Sequence, residues 1–323
     1  MRARIFPPHL SRALGLAICL SVALAASPSW GGAPKGKQAA NEQAGDGQYE
    51  IVVRLIPFEL TRYDSWQLQN HDGKDILEMI RKLKPNMLNR FFTPRPSWTA
   101  TVPMGPGSPP MPMAQYLTQV MKACGKHCTM TPKVPLNRNN TWTDQYLNDS
   151  LKTTLAMQVT PPIRVLDLDN WFNQPGNYQE ELQKFKDMGW EQLGFNFTGS
   201  GEVDMQTYGL GSFGMAAVHP GDWQVQTKQI ERMRSQGIKS IMAAIDYPRP
   251  IKAFAQLSPD RQAEIIETIS RQQKSGGFRF IYPIIYGGYD ATANITSKDG
   301  PYHGKTVFDV ILQCIARDRR EAR

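Results

Sequence analysis

The chain has 323 residues, with 37 lysines and arginines against 29 acids and a formal charge of +8. Arg2, Arg4 and Arg12 lie in a segment, 1–26, that contains no acid, so the rest of the chain carries +8 − 3 = +5. That modest, scattered charge excludes a nucleic-acid footprint, and beyond the first 26 residues no run approaches the roughly 18 apolar residues a membrane helix needs.

The first residues carry the clearest signal. A basic start is followed by an apolar run over 13–26, then by small residues in "ALAAS" (Ala23, Ala25, Ala26, Ser27). This pattern reads as a secretory signal peptide over 1–26, with a secreted or periplasmic product. Residues 27–47 are rich in Gly, Ala, Lys and Gln without periodicity and read as a flexible linker. The folded domain is expected over 48–323.

From residue 49 onward, short apolar runs alternate with helical periodicity. A strand is expected at 51–57. A helix then starts near Asp75, with Ile76, Leu77, Ile80 and Leu83 on one stripe, and Pro85 ends it. A strand follows at 87–92, a Pro/Gly-rich loop at 94–113, a helix at 113–123 and a weak strand at 129–136. Helices are expected within 144–157 and near 178–188, with a strand ending in "RVLDLDNW" (164–171) between them. Further strands fall at 192–197, 240–246 and 278–286. Further helices fall at 222–236 (with Trp223, Ile230 and Met233 on one side), at 259–274 and at 306–317. Ser258 and Pro259 form the start signal of the helix at 259–274.

Strand followed by helix, repeated, is the signature of parallel βα units. About 275 residues in this rhythm fit an α/β fold of the (β/α)8 TIM-barrel type. An open doubly wound sheet is the rival. Seven strands are counted, so the eighth lies in the loop at 199–221 or the barrel is incomplete.

In either architecture chemistry gathers at the carboxyl ends of the strands. Those ends supply Glu59 and Arg62, then Asn89 and Arg90, then Asp167, Asp169 and Trp171. The later ones supply Asn196, Asp246 and Tyr247, then Tyr286, Tyr289 and Asp290. Residues i and i+2 of a strand share a face, so Asp167 and Asp169 point together. Aromatic residues (Tyr63, Trp66, Trp98, Trp171, Phe172, Tyr247) accompany the acids. Aromatic faces beside carboxylates suit sugar rings, and glycoside cleavage needs two carboxyl groups. The expected catalytic acids are Asp167, Asp169, Asp246 and Glu59, with Glu202 a further candidate. The expected sugar contacts are Trp171, Tyr247, Arg90, Asn89, Asn196, Tyr286 and Asp290. The alternative is a barrel top filled by these aromatics, with the acids capping helices or pairing with Arg62, Arg90 and Arg249.

The export signal, the alternation and the acid-ended strands resemble secreted glycoside hydrolases with (β/α)8 barrels, over residues 49–317. "LDLDNW" is similar to the strand-four D-x-x-D-x-D-x-E signature of chitinase-type barrels. Asp167 and Asp169 match its second and third acids. Arg164 stands in place of the first, and Trp171 replaces the terminal Glu, which is that family's general acid. The resemblance implies a glycan partner and either a hydrolase or a degenerate barrel that binds glycan without cleaving it.

Other patterns carry less. "GLGSFG" (209–214) lacks the flanking strand and helix of a dinucleotide site, and Leu210 breaks a nucleophile elbow around Ser212. The expectation there is a loop over the barrel mouth, at 199–221. Cys124 and Cys128 in "CGKHC" are expected to pair as a disulfide in an oxidising compartment. His127 between them does not complete a zinc site. Cys314 reads as a core residue, and the closing "RDRREAR" as a solvated helix end. No cofactor or metal is expected.

Overall fold

The computed structural model describes residues 50–56, 58–60, 66–68, 71–95, 100–135, 144–169, 179–196, 213–219, 221–235, 237–238, 240–245, 249–295 and 300–322. Only the backbone is described at some of these positions, among them Glu59, Asp169 and Asn196. All described residues lie in one compact unit, residues 47–323.

Eight strands form a ring: β1 (Val52–Leu55), β2 (Met87–Phe92), β3 (Thr129–Pro135), β4 (Val165–Asp169), β5 (Gln192–Asn196), β6 (Phe213–Ala217), β7 (Ile241–Ala244) and β8 (Arg279–Tyr286). Each pairs in parallel with the next, and β8 pairs with β1 to close the ring. The narrowest seam is β1–β2, where only Val52↔Met87 and Val53↔Leu88 are in register. The helices are α1 (Gly73–Leu83), α2 (Met113–Cys124), α3 (Asp144–Ala156), α4 (Gln179–Asp187), α5 (Thr227–Ser235), α6 (Arg249–Ala255), α7 (Pro259–Gly276) and α8 (Val307–Glu321). This is a (β/α)8 barrel. No helix among the described residues is long and apolar enough to cross a membrane.

The eighth strand, missing from the sequence count, is β6. It occupies the end of the stretch read as a loop over the mouth, so that reading is corrected for 213–217. "FGMAA" is short, and its glycine and alanines hide a strand that is buried at every position. The helix expected at 222–236 begins only at Thr227. Trp223 instead sits in a tight hairpin closed by the Val218↔Val225 bridge, with a left-handed φ of 57°. Helix α6 was not legible either.

Local signals explain most boundaries. Asp72 caps α1 through a capping box with Asp75, Thr306 and Asp309 do the same for α8, and Ser258 caps α7. The C-terminal "RDRREAR" is not merely a solvated end. Asp318 is buried and accepts from Ser270, Gln273, Tyr282 and Arg317, which joins α7, α8 and β8. Arg319 donates to the carbonyls of Leu83 and Lys84, two of the groups a helix leaves without intrahelical partners at its C-terminus.

Side-chain alternation divides the apolar core in two. Val53, Leu88, Leu166, Leu168, Ala216, Ala243 and Ile284 pack outward with the helices. Val52, Val165, Phe213, Met215, Met242, Ala244 and Ile281, with Met87 against them, form a separate inner cluster. The parity of residue numbers within each strand sorts them, as a two-residue repeat requires. Gly194 of β5 lies opposite Phe213 of β6. A Cβ at Gly194 would stand 1.8 Å from the tip of that ring, so the glycine makes room for an aromatic inside the barrel. Gly194→Ala is expected to cost about 1–3 kcal/mol by overpacking, and Phe213→Leu in the same chain to recover most of it. Urea denaturation of the two single variants and the double variant checks this; additive losses would show that the two sites do not compete for space.

Candidate functional site at the barrel mouth

The inner apolar cluster forms the lower filling of the barrel. Two residues further along the same strands, towards their carboxyl ends, the inward positions turn polar: Arg54 after Val52, Asn89 after Met87 and Asp167 after Val165. All three are buried, with Asp167 at 0 % exposure. Asn89 Oδ1 accepts from Arg54 Nε and Nη2 at 3.0 and 2.7 Å, and Asn89 Nδ2 donates to Asp167 Oδ2 at 2.8 Å. A guanidinium only donates and a carboxylate only accepts, so the amide has a single orientation that serves both. Arg54 also lies over the ring of Tyr286, 5.2 Å from its centroid, and its Nη2 reaches Met215 Sδ at 3.5 Å.

The second cation on Asp167 is Arg90, whose Nε lies 2.8 Å from Oδ2, with both side chains fully buried. In a regular strand Asn89 and Arg90 would point to opposite faces. Here both reach the same carboxylate. Arg90 adopts a left-handed φ of 58°, and the β2–β3 register shifts between Leu88 and Phe92. A left-handed non-glycine residue costs on the order of 1–3 kcal/mol. The backbone N–H of Arg90, turned out of the ladder, donates to Thr131 Oγ1 at 2.8 Å, and the side chain gains the ion pair. Asp167 Oδ1 remains buried without a hydrogen-bond partner among the described residues.

The rim holds a second group. His71 Nε2 and Asp290 Oδ2 are 2.8 Å apart, joining the segments that follow β1 and β8. The backbone N–H and the hydroxyl of Thr292 hold Asp290 Oδ1, each at 2.8 Å. Beside Asp290, Tyr289 packs against Phe254 with ring centroids 4.9 Å apart and planes tilted by 60°, and Phe254 meets Trp223 edge-on at 5.6 Å. Burial first, then the Asp290 charge, pushes the Tyr289 hydroxyl well above its ordinary range. That hydroxyl is buried without a partner among the described residues.

The structure therefore brings together four of the residues expected at the site. Asn89, Arg90 and Asp167 share one network, and Arg54 ties Tyr286 to it. Asp290 lies at the rim instead, paired with His71. Asp167 is buried at 0 % exposure, with Oδ2 held by Arg90 and Asn89. The side chains of Glu59, Asp169 and Asn196, and residues Trp171, Glu202, Asp246 and Tyr247 entirely, lie outside the described residues. Glu59 is described in backbone only, in an antiparallel hairpin opposite Gln67. Arg54 and His71 were not anticipated. Arg54 is a charge inside an apolar strand, "VVRL", and that contrast was the available signal. His71 had only its place just before a helix cap. Cys124 and Cys128, expected as a disulfide, are two buried free thiols. Among the described residues no group of three His, Cys, Asp or Glu side chains is placed to hold a metal ion.

No protein-family model matches the chain. No curated protein matches it either. Solved structures of similar shape include a phospho-2-dehydro-3-deoxyheptonate aldolase from Thermotoga maritima (10 % identity, TM-score 0.46, covering 85 % of this chain and 69 % of that one). They also include a family GH18 chitinase from Cycas revoluta (9 % identity, TM-score 0.45, covering 85 % and 99 %). A xylanase and α-amylase inhibitor protein from Scadoxus multiflorus is a third (12 % identity, TM-score 0.41, covering 83 % and 97 %). Likenesses this distant carry no functional argument; the closed ring of eight parallel strands itself establishes the fold.

The Arg90–Asp167 pair generates a measurable expectation. Removing one partner from a buried ion pair costs about 3–5 kcal/mol, because the other charge stays buried. Asp167→Leu and Arg90→Met are each expected to lose stability in that range, and the double variant to lose clearly less than their sum. Denaturant midpoints for the full cycle measure the coupling; a coupling near zero would remove the pair from the account of the barrel interior.

Proposed function

We propose that this is an exported (β/α)8 barrel that binds an oligosaccharide at its C-terminal mouth without cleaving it. The observation that carries the reading is the state of Asp167. A carboxylate that acts on a glycosidic bond has to face the substrate, as acid on the leaving oxygen or as base or nucleophile at the sugar. Asp167 faces Arg90 and Asn89 instead, at 0 % exposure. Four residues along, Trp171 stands where the chitinase-type signature has its acidic Glu. The rim offers what a sugar-binding surface uses: the part-exposed ring of Trp223, backed by the buried rings of Phe254 and Tyr289, and hydrogen-bonding groups at His71 and Asp290. The leader at 1–26 supports export.

A second reading, hydrolysis by Asp169 with Asp246 or Glu59, keeps the support of acids recurring at several strand ends. The two readings separate in one experiment. Purified protein is offered a panel of oligosaccharides and aryl glycosides, with binding measured by calorimetry and cleavage by product analysis, beside Asp169→Asn and Asp246→Asn. Saturable binding without turnover is expected. Turnover that disappears in either variant while the fold survives would establish the hydrolase and discard the binding-only reading. Neither binding nor turnover on the whole panel would discard both.

A further inference from the structure

We infer that Cys124 and Cys128 are the site of a structural disulfide made while the barrel folds, and not of a reversible redox switch in the folded protein. This inference does not depend on the glycan reading. Cys124 is the last residue of α2, and Cys128 immediately precedes β3. Between them the chain makes one tight turn. Gly125 N donates to Met121 O, and Cys128 N donates back to Gly125 O at 3.3 Å. Gly125 holds a φ of 109°, a conformation that residues with a side chain rarely adopt, so the turn that brings the two cysteines face to face depends on the glycine. Cys124 and Cys128 are neighbours across this turn, and both are less than a tenth exposed.

The same burial decides when the bond can form. Thiol–disulfide exchange needs a thiolate and access for the incoming disulfide. Burial first, then the hydrogen bond to Cys128, pushes the Cys124 thiol far above its ordinary range. Among the described residues no cation pairs with either sulfur. In the folded barrel the pair is therefore too protected to react. Before α2 docks, both thiols are ordinary and reachable. One thiolate attacks a small-molecule disulfide and expels one thiolate of it. The second cysteine, as thiolate, attacks the mixed disulfide and expels the other. The protein loses two protons and two electrons, and the small disulfide becomes two thiols. Cys314 takes no part: it is buried on α8 beside Ser270, with its thiol pushed up to about 11 by burial.

The link would fix the start of β3. Thr129 N donates to Asn86 O at 2.7 Å, and Asn86 Oδ1 accepts from Ile51 N, so β3 is tied at its start to the segments leading into β2 and β1. Two residues on, Thr131 holds the left-handed backbone of Arg90. The staple lies at the N-terminal face of the barrel, where stability is built, and leaves the mouth untouched.

Lys126 lies between the two cysteines, so trypsin separates them. Full-length chain is unfolded and reduced, then refolded with oxidised glutathione. A second sample is refolded reduced and exposed to oxidised glutathione only once native. Both are alkylated, digested without reductant and read by mass. The expected result in the first sample is peptide 123–126 joined to peptide 127–133, released by reductant. In the second sample both peptides are expected free. The linked protein should melt roughly 5 °C higher than the reduced one, and that difference should vanish in Cys124→Ala/Cys128→Ala. Free peptides in both samples would overturn the disulfide. Rapid linking of the native protein would overturn the folding-time assignment and make the pair a switch.

Discussion

The carboxylate of Asp167, held between an amide and a guanidinium with no surface open to water, is the constraint around which the inside of this barrel is arranged. A charge in that position is expensive to desolvate and is tolerated only with close partners. Its partners come from β2, and Asn89 passes the contact on to Arg54 of β1, which reaches Met215 of β6 and Tyr286 of β8. One acid thus links side chains of five strands to one another. It also fixes register. A shift of one residue in β4 would turn Asp167 towards the helices and Leu166 or Leu168 into the barrel, with a penalty on both faces.

Meeting that demand distorts β2. Two neighbouring residues cannot both face inward on a regular strand, so Arg90 takes a left-handed backbone and the ladder slips. The strain is offset by two contacts that exist only because of it: the bond from the Arg90 N–H to Thr131, and the ion pair. The irregularity lies at the carboxyl end of β2, under the mouth, while the apolar layer below it keeps strict alternation. The barrel is regular where it is filled with hydrocarbon and irregular where it is filled with charge.

Function follows from how the acids are deployed, more than from how many there are. Carboxylates at strand ends suggest glycoside chemistry in the sequence, but in the barrel Asp167 is buried and ion-paired to Arg90. The groups nearer the surface are of another kind: an imidazole paired to a carboxylate, and Trp223 packed on the buried rings of Phe254 and Tyr289. Those groups lie on segments whose strands are held from beneath by the charged layer.

Much of this was written in local patterns. The βα rhythm, seven of the eight strands and the cap of α7 follow from periodicity and end signals, because those forces act between residues close in sequence. The mouth as the place of interest, and Asn89, Arg90, Asp167 and Tyr286 as its residues, follow from polar side chains interrupting apolar strands. The rest depended on neighbours distant in the chain. Strand β6 is too short and too small in its side chains to announce itself, and it exists because β5 and β7 flank it. Arg54 and His71 acquire roles only through Asn89 and Asp290, 35 and 219 residues away. Sequence alone determined that Asp167 sits at the end of a buried strand. Only the closed barrel decided that it faces an arginine from another strand, because pairing across the interior is a property of ring closure and leaves no local pattern to read.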